Sequence, residues 1–228
     1  VKILKNVLKM MPNHSGANCN MGAALSSLGQ FDNAKPFLQK SLEIEPNQPE
    51  TILNIAMVEY KENKFHEAIE TLKKAISLRE NYDNAWYRLG DCYKTMAHYR
   101  EAEEAYAKAV EINPVSVLGW VNLGTMSLMH NKIDKAHDCY KKALELNPDD
   151  VSIYFHYSYF LNSADLFDEI PKLLKVAKKH IPDRAITAFI EARYERRQGN
   201  IEKALSILEP FKDAKDSEGT KVGYELGL

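Results

Sequence analysis

Seven histidines, three cysteines and a row of asparagines are the residues of this 228-residue chain whose types suggest reactive or binding roles. Imidazole can ligate a metal or carry a proton near neutral pH. His14, His66, His98, His130, His137, His156 and His180 are, however, scattered. His66-Glu67 is not followed by a second histidine four residues on, the spacing that sets two zinc ligands on one helix face. His130 and His137 lie seven apart, with no carboxylate completing a set. Cys19, Cys92 and Cys139 are odd in number and without paired spacing, so they form neither a disulfide framework nor a zinc motif, and a reducing compartment fits them best. No glycine-rich phosphate loop occurs. These residues predict no catalytic set, no metal and no cofactor. The asparagines differ. A carboxamide both donates and accepts, so it can pair with both groups of one peptide unit. Asn20, Asn54 and Asn122 share one place in a 34-residue spacing, whose other places hold Arg88, His156 and Ile190. A spaced row of this kind can hold an extended backbone whatever its side chains.

The elements that would carry such a row follow from the same spacing. Pro46, Pro114, Pro148 and Pro182 fall in register, with Glu80 filling the gap, and Ala34, Ala68, Ala102, Ala136 and Ala204 keep the same 34-residue step. A period of that length marks stacked helical units. In the unit beginning at Asp83, helical patterns run from Asp83 to about Ala97 and from about Arg100 to Ile112. Trp86, Leu89, Gly90 and Tyr93 make one apolar stripe, and Ala102, Tyr106 and Ala109 another. Proline lacks an amide hydrogen and disfavours helix in the residue before it, so Pro114 ends the second helix. The place of close helix approach reads Gly22, Ala56, Gly90, Gly124, Ser158, Ala192. The second-helix apolar place reads Leu38, Leu72, Tyr106, Tyr140, Leu174, Leu208. Glu191 and Glu195 stand at apolar places of the last unit, predicting looser packing there. A fully buried Trp86 predicts a loss of ~3–5 kcal/mol on truncation to Ala.

These residues resemble the tetratricopeptide repeat family, with its Trp, Leu-Gly, Tyr, Ala, aromatic, Ala and Pro landmarks. The resemblance implies an all-α, right-handed superhelical solenoid of stacked antiparallel helix pairs, forming a single array. Its expected parts are a second helix of a truncated unit (1–14), full units 15–48, 49–82, 83–116, 117–150, 151–184 and 185–218, and the start of a further unit (219–228). It also implies that first helices line a concave groove with the second, fifth, sixth, ninth, twelfth and thirteenth places of each unit. That assigns Asn20, Asn54, Tyr87, Arg88, Asp91, Val121, Asn122, Phe155, Tyr159, Phe189 and Arg193 to a peptide-binding groove. The asparagines resemble the ladder of some family members, including the O-linked N-acetylglucosamine transferases; solvated polarity copied by repeat duplication explains them equally well. Phe155, Tyr159 and Phe189 are expected as exposed anchors, or else as a face covered by a neighbouring repeat. Arg193, Arg196 and Arg197 suit an acidic segment, or form a solvated face paired with Glu191 and Glu195. No unit supplies the Lys–Asn pair of the family's carboxylate clamp.

A net charge of −2 gives no field favouring nucleic acid, and no apolar run reaches the ~20 residues of a membrane span. The expected partner is therefore a protein or peptide, with oligomeric state unassigned, and the expected compartment is the cytoplasm. The reading is a non-catalytic interaction scaffold. Its alternatives are the substrate-targeting region of a larger enzyme such as a glycosyltransferase, and an assembly factor of a cell envelope or secretion system. The ends, VKILKNVLKMM and KVGYELGL, read as a cut second helix and an opening first helix.

Overall fold

The structure, a computed structural model, describes residues 1–182 and 185–211. The expected unit opening at 219 lies outside them. The described residues are helical and contain no strand: α1 (Lys2–Met10), α2 (Ser15–Ser27), α3 (Phe31–Ile44), α4 (Pro49–Lys61), α5 (Phe65–Leu78), α6 (Asp83–Thr95), α7 (Tyr99–Ile112), α8 (Val117–Met129), α9 (Ile133–Leu146), α10 (Val151–Ser163), α11 (Ile170–His180), α12 (Ala185–Arg197) and α13 (Ile201–Leu208). A 3₁₀ turn, Phe167–Glu169, leads into α11. The chain forms two compact bodies, Val1–Pro114 and the residues from Val115 on. In the first, α2 pairs with α3, α4 with α5 and α6 with α7; α2 also touches α4, and α4 touches α6. In the second, α8 pairs with α9, α10 with α11 and α12 with α13, and α10 touches both α8 and α12. Each body is thus an all-α solenoid of stacked hairpins whose first helices stand side by side.

The pairs close through small residues set against large ones. A Cβ built on Gly90 would fall 2.7 Å from the Tyr106 ring, and one on Gly124 would fall 3.1 Å from Tyr140. Ala34, Ala68, Ala102 and Ala136 are all fully buried. The second body has an aromatic core, with Tyr140 stacked on Tyr157 at 5.6 Å and tilted against Phe160 at 5.3 Å. His137 lies against Phe160 at 5.9 Å. Desolvation, the first cause, and the Lys141 charge hold its imidazole below the usual histidine range, so it packs as a neutral ring.

Two further periodic devices close the turns. At each hairpin one residue takes a left-handed conformation: Gly29, Asn63, Ala97, Asn131, Asp165 and Gly199. The amide that follows each of them bonds back to a carbonyl five residues earlier, as in His98 N–H to the Tyr93 oxygen at 2.9 Å. This is the Schellman closure, which glycine accommodates best and asparagine tolerates. Ala97, with φ of 60°, carries a Cβ in a conformation that costs roughly 1–2 kcal/mol. Ala97→Gly is therefore expected to raise stability by about 1 kcal/mol, less the entropy glycine adds to the unfolded chain. A urea midpoint that stays still or falls would contradict this.

The second device sits at the fourth place of the unit, where the side chain donates to the carbonyl six residues back. Asn18 Nδ2 reaches the Pro12 oxygen at 3.0 Å, Trp86 Nε1 reaches the Glu80 oxygen at 2.9 Å and Tyr154 Oη reaches the Pro148 oxygen at 2.6 Å. A large residue is expected at this place, and Asn18 shows that the donor matters as well as the bulk. In the last repeat, Glu195 is buried yet paired, accepting from Lys203 Nζ at 2.6 Å and Asn200 Nδ2 at 2.7 Å. The bond to Lys203, then that to Asn200, holds its carboxyl below the usual carboxylate range.

Candidate functional site

Each body presents a row of first helices, and the expected groove residues divide between them. In the first body, Asn20 is exposed, and Asn54 is partly buried with its Nδ2 donating to Cys19 Sγ at 3.3 Å. The sixth place of one repeat thus meets the fifth place of the repeat before it. Tyr87, Arg88 and Asp91 form a connected group on α6. The Arg88 guanidinium lies 5.4 Å from the Tyr87 ring centre, and its Nη1 bonds Asp91 Oδ2 at 3.2 Å. Tyr106 Oη donates to Asp91 Oδ1 at 2.7 Å, and Lys94 Nζ lies 3.7 Å from the same oxygen. Burial, with the Asp91 charge second, pushes the Tyr106 phenol far up, so it remains a donor at any physiological pH. The second helix thus reaches through the pair to fix the Asp91 carboxylate, and that carboxylate orients Arg88.

The second body holds Val121, Asn122, Phe155, Tyr159, Phe189 and Arg193. Asn122, Phe155 and Arg193 are partly buried, and Tyr159 is 56% exposed. Val121 and Phe189, at 5% and 6%, are core residues rather than open anchors. This corrects the expectation for the fifth place. Because adjacent first helices touch, that place faces the neighbouring helix, and Cys19 and Leu53 are buried there too. Arg193 stacks over the Phe189 ring at 5.5 Å. Arg197 pairs with Asp165 at 3.3 Å and lies 3.5 Å over Phe167, while Glu191 and Glu195 pair with Lys178 and Lys203. For Arg197, the glutamate pairing expected along α12 thus gives way to a contact with Asp165. Asn162, Arg193, Arg196 and Arg197 line a cavity of about 250 Å³. Leu118 and Met129, both 56% exposed, share the second and thirteenth places with the expected lining. Neither was assigned from sequence, although the register alone puts them there.

Cys19, Cys92 and Cys139 are buried and form no disulfide, and burial pushes the Cys92 thiol up to about 12. Among the described residues no cluster of three or more potential ligands could hold a metal ion, and no helix is long and apolar enough to cross a membrane.

The fold and this wall define a helical-hairpin repeat protein, a class built around an extended surface rather than an enclosed pocket. Residues 117–150 match the tetratricopeptide repeat model, and residues 27–109 match the model of the anaphase-promoting complex, cyclosome, subunit 3. The chain belongs to the tetratricopeptide repeat family. Among solved structures it is similar to PilF of Pseudomonas aeruginosa, at 20% identity and TM-score 0.72, over 92% of this chain and 97% of that one. It is also similar to MamA, at 26% identity and TM-score 0.63, over 75% and 93% of the two chains. YrrB, described as a tetratricopeptide protein with an unusual peptide-binding site, aligns at 21% identity and TM-score 0.64, over 84% of this chain and 98% of YrrB. No curated protein matches the sequence.

Proposed function

We propose that this protein is a non-catalytic scaffold that binds an extended peptide or a helix of a partner protein along its first helices. The observation that carries this reading is the placement of exposed apolar side chains. On α8 and α10, Leu118, Met129 and Tyr159 each remain 56% exposed. All three stand at places that the repeat assigns to its inner wall. Exposed aromatics flanked by polar groups are the usual anchors of recognition. Asn122 and Arg193 would supply hydrogen bonds around Tyr159. In the first body, taken by itself, Asn20, Asn54 and the Tyr87–Arg88–Asp91 group would offer polar contacts along that body's own first helices.

The test uses a peptide selected on the intact chain and titrated against variants. Tyr159→Ala is expected to weaken it at least tenfold, about 1.4 kcal/mol, while leaving stability within ~0.5 kcal/mol. Phe155→Ala should weaken it as well, but Phe155 packs against the core, so that variant also loses stability. An affinity unchanged by Tyr159→Ala would remove the site.

A further inference from the structure

A cleft of about 550 Å³ opens in the first body between α3, the end of α4 and the start of α5. Leu38, Ile55 and Val58 give it an apolar floor, and Asp32, Glu59, Glu62 and Glu67 stand around it with Lys35 and Lys64. Four carboxylates thus face two ammonium groups. Those two are already engaged: Lys35 Nζ lies 2.5 Å from Glu62 and 3.6 Å from Asp32, and Lys64 Nζ lies 2.9 Å from Glu62. Glu59 takes a hydrogen bond from Thr71, yet its Oε2 is buried and has no partner. A buried carboxylate oxygen left without a donor is costly, and native structures rarely keep one without cause.

We propose that this cleft is a second binding site, which takes a basic side chain of a partner protein. The aliphatic stem of a lysine or arginine would lie on Leu38, Ile55 and Val58, with the cationic head between Glu59 and Glu67. Long basic side chains bury their methylenes this way while the charge meets an acceptor. The geometry suits a cation better than an anion, because the unpaired charge of the lining is negative. Desolvation, the leading cause, with the Glu67 and Glu62 charges added, holds the Glu59 carboxyl above the usual carboxylate range, as expected where a cationic partner is missing. The site is separate from the inner wall. Its lining from α4 is Ile55, Val58, Glu59 and Glu62, and none of these stands at a place assigned to the inner wall.

The test is a methyl and amide NMR titration of the full chain with the blocked tripeptide acetyl-Ala-Arg-Ala-amide. The matching citrulline peptide, a neutral isostere, is the control. Saturating shifts at Ile55 and Val58 are expected with arginine and not with citrulline. They should be lost in Glu59→Gln, which relieves an unpaired charge and keeps the fold, and reduced in Glu67→Gln. They should persist in Tyr159→Ala, which separates this site from the peptide-binding reading above. Equal shifts with citrulline, shifts confined to other surfaces, or binding retained in Glu59→Gln would overturn the proposal. So would the same methyl shifts produced by calcium or magnesium alone, which would make the cleft a cation site.

Discussion

Phe160→Ala is expected to destabilise the protein by about 3–5 kcal/mol, the largest loss of any single truncation considered, read as a fall in the urea midpoint. Phe160 is fully buried on α10, among Tyr140, Tyr157 and His137. Removing its ring deletes the apolar transfer energy and leaves a void. Its neighbours are themselves rings held by other bonds, such as Tyr140 with Thr125 at 3.0 Å, so they cannot close in without breaking those bonds. Offset and tilted ring pairs add stability beyond area alone, about 0.5–1.5 kcal/mol per pair. Trp86→Ala, by contrast, should cost only about 1.5–3 kcal/mol. Trp86 is the family landmark, but it is partly exposed at the edge of its cluster. Its indole N–H bonds an exposed backbone oxygen, where water can replace it. Equal losses for the two variants, or a larger one for Trp86, would show that exposure does not rank these sites.

The contrast shows which parts of the molecule can be read from residue order. Helix positions are readable because the period leaves little freedom: once Ala34, Ala68, Ala102 and Ala136 are in register, both helices of each pair follow. The buried identities at the second-helix place follow for the same reason, from Leu38 through Leu208. Left-handed turn positions were evident only at Gly29 and Gly199. Asn63, Asn131 and Asp165 are ordinary polar residues in sequence, and Ala97 is a helix former that the closure forces into an unfavourable conformation. The fifth place misled because a residue such as Phe189 fits an exposed aromatic anchor and a core ring equally well. Only the contact between neighbouring first helices decides that it is buried. The cleft beside Glu59 was hidden because its lining comes from three helices, and its unpaired oxygen is a property of packing.

Gly90→Ala carries the second large effect, and its size should depend on one distant residue. A methyl at position 90 meets the Tyr106 ring at 2.7 Å, closer than real carbon contacts come. The ring cannot swing aside freely, because it is fully buried and its hydroxyl is held by Asp91 at 2.7 Å. Overpacking of this kind typically costs 1–3 kcal/mol, and here the upper half of that range is expected. The chain itself offers the remedy. Where the close-approach place carries alanine, at Ala56 and Ala192, the partner sixteen residues on is leucine, at Leu72 and Leu208; glycine stands opposite both tyrosines, Tyr106 and Tyr140. Tyr106→Leu alone should destabilise, by emptying space beside Gly90 and by releasing Asp91. Combined with Gly90→Ala it should recover much of the loss, giving a coupling energy above about 1 kcal/mol in a double-mutant cycle. Additive losses would mean that the pair is not matched in size. The same double variant separates packing from binding. It restores the hairpin but leaves Asp91 without its phenol donor, so Arg88 loses part of what orients it. A peptide that contacts Arg88 should then bind the double variant more weakly than the parent, even where the two unfold at the same urea concentration.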